Sequence, residues 1–186
     1  MQDKTAPVLA DDATERVSQL IKLRLPWLIL GLVGGIVTTL FIGQFERLLS
    51  EQIQLAFFIP IIVYLSDAIG TQTEDIYIRN LARKRVRFIK YFTKEFFLGL
   101  IFGAIFGVCV GFFSFIWLGD FQISLSVGLA MFLSASIATL IAIIIPTVFF
   151  EENTDPATGS GPIKTVIQDF VSILIYFLIS SFIILR

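Results

Sequence analysis

The chain has 186 residues, of which 56% are hydrophobic and 16% are charged, and its formal net charge is −1. This composition excludes an intrinsically disordered chain, and a mean hydropathy of +0.87 leaves too little polar surface to cover a water-soluble domain. One cysteine and no histidine exclude a disulfide framework and a Cys/His metal site, so any metal must bind oxygen.

Five apolar stretches are long enough to cross a bilayer, which takes roughly 20 residues in a helix. We expect helices because no stretch shows the alternation of a membrane β-barrel. The spans are predicted near residues 25–45, 52–80, 95–120, 120–151 and 162–185. The predicted fold is therefore all-α, with an N-terminal tail and short cytoplasmic helix over 1–24 and a five-helix transmembrane domain over 25–186.

A basic segment between the second and third spans predicts the orientation of the chain. Seven Lys and Arg residues lie between positions 79 and 94. Basic loops stay on the cytoplasmic side, so we expect the N-terminus inside and the C-terminus outside. The simplest role for this segment is an anchor to anionic membrane lipid.

The third span carries Gly99, Gly103, Gly107 and Gly111 at strict four-residue spacing. Such spacing places all four on one helix face and lets a second helix approach closely. The stripe predicts a helix-packing surface and says nothing about a transported ligand.

The fifth span carries one polar stripe on an otherwise apolar helix, and Asp169 is its charged member. A carboxylate within a membrane span is expensive, so Asp169 should face a watery cavity or a cation, or else be a neutral or paired group that joins helices. The stripe consists of Thr165, Asp169, Ser172, Tyr176 and Ser180.

The second span repeats the pattern with Tyr64, Asp67, Thr71 and Asp75, and Glu74 lies at the edge of this stripe. Because two spans each carry a polar stripe, we expect both helices to line one pathway through the membrane. Glu74 and Asp75 lie toward the cytoplasmic end, where ion pairs with the basic segment compete with a role at a pore mouth. Pro60 removes a backbone donor, which should free a carbonyl toward a cavity.

These oxygen-bearing side chains suit a hard divalent cation better than catalysis. Mg²⁺ sheds its water reluctantly and is bound by a few carboxylates around a retained hydration shell. The sequence contains no calcium loop, phosphate-binding glycine loop or nucleophile–base motif. We therefore predict that the chain is not an enzyme.

Several motifs, in order along the chain, resemble the transmembrane domain of the MgtE-type magnesium transporters and channels. Residues 24–28 with 13–15 and 45–46 resemble the first span of that family, and Ala56, Phe58, Pro60, Gly70, Gln72 and 78–82 resemble its second. The most specific match is Asp155-Pro156-Ala157, Ser160-Gly161-Pro162, Thr165 and Asp169.

The resemblance implies a homodimer whose pore, lined by the second and fifth spans, runs along the two-fold axis. Asp169 would then appear twice around one hydrated Mg²⁺ or other divalent cation. Thr165 would contact the water shell of this ion, and Asp67, a carboxylate that the polar stripe of the second span supplies and the family pattern lacks, is predicted to add a further charge to the metal site. The implied pore-lining residues are Ser172, Tyr176, Tyr64, Thr71, Pro60 and Gly161, with Glu74 and Asp75 at the cytoplasmic mouth.

Two departures from the family pattern affect the expected function. The resemblance does not include the family's cytosolic N and CBS domains, so regulation by that route is not expected. The second span reads Ser66-Asp67-Ala68-Ile69-Gly70-Thr71-Gln72, which replaces two asparagines of the family run and adds a carboxylate. A proton- or sodium-coupled carrier therefore stays open beside a passive channel, as does a non-conducting membrane scaffold or signalling subunit.

Overall fold

A computed structural model of the chain describes residues 14–83, 87–152 and 156–185, without the side chains of 156–158. All regular structure in these ranges is helical, and five helices are long and apolar enough to cross a membrane, as expected. The predictions for the tail before residue 14, for positions 84–86, for Asp155 and for Arg186 lie outside the described residues. The elements are α1 (Val17–Gly43), α2 (Glu46–Glu51), a 3₁₀ helix (Ile53–Phe58), α3 (Ile59–Ala82), α4 (Phe88–Leu118), α5 (Phe121–Glu151) and α6 (Pro156–Ile184).

Two helix starts differ from the sequence prediction. The segment expected to form a short cytoplasmic helix leading into the first span is, from Val17 onward, continuous with that span in helix α1. The expectation that Pro60 frees a carbonyl within its span is wrong, because Pro60 is the second residue of α3. A backbone N–H at that position has no partner inside the helix, so proline removes no hydrogen bond there.

The glycine stripe of α4 forms the packing surface that its spacing predicts. A Cβ atom on Gly99 would lie 2.6 Å from the backbone oxygen of Ser136, and one on Gly107 would lie 2.8 Å from that of Gly128. Gly119, at φ +69°, ends α4, and the Asp120 side chain caps α5 by accepting a hydrogen bond from the Ile123 amide at 3.0 Å. The turn and the stripe together hold α4 tightly against α5.

Helix α5 is at the centre of the protomer and α1 is at its edge. Half of the most apolar part of α5 is buried, compared with 6% of that of α1. Helices α3, α4 and α6 pack around α5, whereas α1 packs on α6. This arrangement brings the two striped helices, α3 and α6, into contact with each other.

Candidate ion-binding site

A buried lysine joins the two striped helices. Lys164, on α6, is 1% exposed, and its Nζ donates to Asp67 Oδ1 at 2.7 Å and to Thr71 Oγ1 at 2.9 Å, both on α3. Glu74 Oε2, one turn further along α3, lies 3.9 Å from the same Nζ. One ammonium group is thus surrounded by two carboxylates and a hydroxyl.

Neighbouring hydroxyls fix the carboxylates of this group. Ser160 donates to Glu74 Oε1 at 2.7 Å, and Thr165 donates to Asp67 Oδ1 at 3.3 Å. Gly70 lies beside the lysine, and a Cβ atom there would be at van der Waals distance, 3.6 Å, from Nζ. We call Asp67, Thr71, Glu74, Ser160 and Lys164 the lysine cluster.

The lysine cluster borders an open cavity of about 480 Å³ between α3 and α6. Glu74 is buried, while Thr71 and Asp75 are exposed. The cavity therefore connects the cluster with the surroundings of the protomer. It is lined on α3 by Thr71, Glu74 and Asp75 and on α6 by Ser160, Gly161 and Lys164.

Asp169 lies in a separate groove between α6 and α1. Its Oδ1 atom is buried and has no hydrogen-bond partner among the described residues. Thr165 lines both this groove, of about 630 Å³, and the cavity beside the lysine cluster. A buried carboxylate oxygen without a donor is costly unless a cation or water satisfies it.

The first span contributes to this groove, which the sequence did not indicate. Gly31, Gly35 and Thr38 of α1 line it opposite Thr165 and Asp169. The two helices approach closely, since a Cβ atom on Gly34 would collide with Val166. The small residues on α1 are the one sequence feature that could have indicated this groove. Small residues in a membrane span more often indicate only close helix packing.

The two predicted stripes divide differently between the inside and the outside of the protomer. On α3, Tyr64 is 69% exposed, and Thr71 and Asp75 are exposed as well. On α6, Ser172 and Tyr176 are buried in the protomer. Tyr176 donates to the Leu55 carbonyl at 2.8 Å, and Ser172 accepts from Gln168 at 3.1 Å. Within one protomer, therefore, these two side chains do not share an open surface with Asp169.

Two buried charged residues escaped the sequence prediction. Lys164 lies outside the polar stripe of the last span, so the stripe pattern indicated no role for it, although it is the only lysine between Pro162 and Leu185. Glu95 was treated as a boundary of the third span, but it lies inside α4, is 8% exposed and accepts a hydrogen bond from Thr73 at 3.0 Å. Sequence spacing gave no sign of the partner in either case.

The donor set of one protomer does not suit a dehydrated metal ion. Among the described residues no group of three or more His, Cys, Asp and Glu side chains could hold one. Asp169 alone, with Thr165 nearby, offers too few oxygens for direct octahedral coordination. The arrangement does fit an ion that keeps its water shell and meets a carboxylate through it.

These features define the class of protein. Five apolar helices, which carry a buried lysine cluster and a buried carboxylate oxygen without a hydrogen-bond partner among the described residues, indicate an α-helical multi-pass membrane protein. A family model named MgtE and described as a divalent cation transporter matches residues 59–179. The chain therefore belongs to the MgtE family, whose members are transporters and not enzymes, and it is a membrane protein.

Curated relatives from three bacteria carry the name magnesium transporter MgtE. The protein of Bacillus subtilis is 34% identical over 161 residues, which is 85% of this chain and 36% of the relative. The protein of Enterococcus faecalis is 33% identical over 179 residues, covering 95% of this chain and 40% of the relative. That of Thermus thermophilus is 28% identical, covering 82% of this chain and 34% of the relative. The chain thus spans less than half the length of these relatives.

Proposed function

We propose that two copies of the chain form a pore for Mg²⁺ or a related divalent cation, with Asp169 of both copies at its centre. The observation that carries this proposal is the buried Asp169 Oδ1, which has no hydrogen-bond partner among the described residues and lies in an open groove. A hydrated dication between two such carboxylates offsets their burial. The printed names of the relatives support the choice of magnesium.

The exposed polar face of α3 supports the dimer. Tyr64, Thr71 and Asp75 lie on the outside of the protomer, within a helix that is otherwise apolar enough to span a membrane. Lipid chains offer no hydrogen bonds to such a face, whereas a second copy or a water-filled passage does. In this arrangement α3 and α6 line the passage, and Glu74 and Asp75 lie at its cytoplasmic mouth.

The membrane potential supplies the driving force for entry of the ion. Moving one charge across 100 mV is worth about 2.3 kcal/mol, and a dication gains twice that amount. The basic segment that begins at Arg79 supports a cytoplasmic position for this mouth, and its residues Arg79, Arg83, Arg87, Lys90 and Lys94 are exposed. A channel with the N-terminus inside therefore needs no further energy source.

Flux into liposomes containing the purified protein tests this function. Asp169→Ala should reduce Mg²⁺ or Mn²⁺ influx at least tenfold, whereas Glu51→Ala, which removes an exposed carboxylate on α2, should leave it unchanged. Equal flux in Asp169→Ala and wild type would remove the site assignment. No divalent flux in the wild type would favour a membrane scaffold.

A coupled carrier is the second candidate, and the buried Asp67–Lys164 pair is the observation that favours it. Charged pairs inside membrane spans are frequent in ion and proton pathways. In the same liposomes a proton or sodium gradient would then drive uphill divalent movement, and Asp67→Asn would abolish it. A channel predicts that neither gradient drives uphill movement.

A further inference from the structure

The ammonium group of Lys164 is held in the way that an oxygen site holds a metal cation. Two short contacts, to the Asp67 carboxylate and the Thr71 hydroxyl, and a longer one to Glu74 surround it. The side chain is 1% exposed, so water does not replace any of these oxygens at Nζ. The lysine cluster is therefore a cation site that already contains a cation.

The charges in the lysine cluster do not balance. Asp67 and Glu74 contribute two formal negative charges, and Lys164 contributes one positive charge. The adjoining cavity also has Asp75 in its lining, with Arg79 as the neighbouring cation. If a divalent ion replaced the ammonium group, its two positive charges would neutralise both carboxylates of the cluster. If Na⁺ or K⁺ replaced it, the positive charge in the site would stay the same.

The position of the lysine cluster relates it to Asp169. The cavity of about 480 Å³ opens on one side of Lys164, and Thr165, the next residue, also lines the Asp169 groove. Thr165 in addition donates to Asp67, so one side chain connects both sites. A cation that moves along α6 from the cavity to Asp169 passes the ammonium group.

We propose that Lys164 is a tethered cation that occupies a second site on the ion pathway, formed by Asp67, Thr71 and Glu74, and that a divalent ion displaces it in order to pass. The flexible four-carbon stem lets the ammonium leave toward the cavity without unfolding the helix. Lys164 thereby determines specificity, because exchange favours a dication and excludes monovalent cations. This inference rests on the proposed function.

Binding of Mn²⁺ to the purified full chain in detergent, counted by electron paramagnetic resonance, tests the proposal without transport. Lys164→Met keeps an unbranched side chain, one heavy atom shorter than that of lysine, and removes its charge. This variant should bind one more Mn²⁺ per chain than the wild type, and Lys164→Met/Asp67→Asn should return to the wild-type number. Lys90→Met, which removes an exposed lysine on α4, serves as the matched control and should bind the wild-type number.

Competition by monovalent ions provides the second readout. In the Lys164→Met protein, Na⁺ should displace the additional Mn²⁺ at concentrations at least tenfold lower than those that displace Mn²⁺ from the wild type. An unchanged Mn²⁺ number together with unchanged Na⁺ sensitivity would overturn the proposal. If Lys164→Met does not yield folded protein, Lys164→Arg replaces it, because a guanidinium group cannot fit the same site as a compact ammonium. Because the guanidinium group then leaves the cluster empty, Lys164→Arg should also bind one more Mn²⁺ per chain than the wild type, and the wild-type number would overturn the proposal.

The outcome can be separated from that of the proposed function. Asp169→Asn changes the central site and leaves the lysine cluster intact. Lys164→Met in the Asp169→Asn background should therefore still add one Mn²⁺ per chain, even if Asp169 plays no part in flux. If Asp169→Asn abolishes flux but Lys164→Met in that background binds no additional Mn²⁺, the proposed pore is supported and the second site is excluded.

Discussion

Thr73 on α3 donates a hydrogen bond to Glu95 on α4 across 3.0 Å, and the Thr139 hydroxyl on α5 binds the Glu95 backbone oxygen at 2.8 Å. Three helices thus meet at one buried glutamate. Its carboxylate is 8% exposed, so its partner inside the protein matters more than it would in water. This link holds α3, which carries three of the five residues of the lysine cluster, in a fixed position relative to α4 and α5.

Thr73→Val should destabilise the protein because it leaves Glu95 Oε2 without its donor. We expect the free energy of unfolding in detergent to fall by about 1 kcal/mol, within the range of helix-to-helix hydrogen bonds in membranes. Chemical denaturation followed by circular dichroism measures this change. Thr93→Val is the control, because the exposed Thr93 hydroxyl binds only the backbone of its own helix. Equal losses in both variants would contradict the assignment.

Tyr176→Phe should loosen the junction between the 3₁₀ helix and α6. The tyrosine hydroxyl donates to the Leu55 carbonyl at 2.8 Å, and no water reaches this site because the side chain is 1% exposed. Loss of the donor should lower the free energy of unfolding by about 1 kcal/mol. Tyr64→Phe makes the same chemical change on a side chain that is 69% exposed. Its stability should stay within a few tenths of a kcal/mol of the wild type, and a larger loss there than in Tyr176→Phe would refute the interpretation.

Gly99→Ala should force α4 away from α5. The added methyl group would lie 2.6 Å both from the Ser136 backbone oxygen and from Thr139 Oγ1. Overpacking of this kind destabilises by about 1–3 kcal/mol. Gly35→Ala, in the middle of α1, meets no atom within 4 Å and should be neutral or stabilising by up to about 1 kcal/mol. Thermal unfolding of the two variants side by side gives the comparison, and similar midpoints would exclude the close helix contact.

The Asp67–Lys164 pair should show strong coupling in a double-mutant cycle. Asp67→Asn leaves a buried ammonium with a weaker set of acceptors, and Lys164→Met leaves the carboxylates without their cation. Because Asp67 is about one-third exposed, we expect a coupling energy of about 1–3 kcal/mol in unfolding experiments. Strict additivity of the two single changes would mean that the ion pair contributes nothing to stability.

The sequence predicted the spans well, because a bilayer requires long uncharged helices and charged residues interrupt them visibly. The five predicted stretches correspond to α1, to the 3₁₀ helix with α3, and to α4, α5 and α6. The glycine stripe was likewise readable, since four glycines at helical spacing have few uses other than close packing. The sequence prediction started the first span near residue 25, but α1 begins at Val17. Charge and apolarity mark where a span enters the membrane, and they do not mark where its helix begins.

The stripes on the second and fifth spans were interpreted as lining one shared pathway, and within a single chain Ser172 and Tyr176 lie apart from the exposed stripe residues of α3. Periodicity tells which residues share a helix face, but it does not tell which neighbouring helix that face meets. Ser172 and Tyr176 face the interior of the protomer, while Tyr64 and Thr71 face outward. The homodimer and the direction of the pore therefore stay predictions that the experiments above address.

The amino-acid sequence by itself determined that this chain lies in a membrane as five helices, because composition and uninterrupted apolar length fit no water-soluble fold. That any bound ion meets oxygen ligands stays a prediction from the residue types. Only the tertiary structure decided that Lys164 fills the space between Asp67 and Glu74, which lie far earlier in the chain, and that Asp169 Oδ1 has no hydrogen-bond partner among the described residues. Which charged side chains meet across the helices depends on how α3 packs against α6. Local sequence patterns do not encode the contacts that fix this packing.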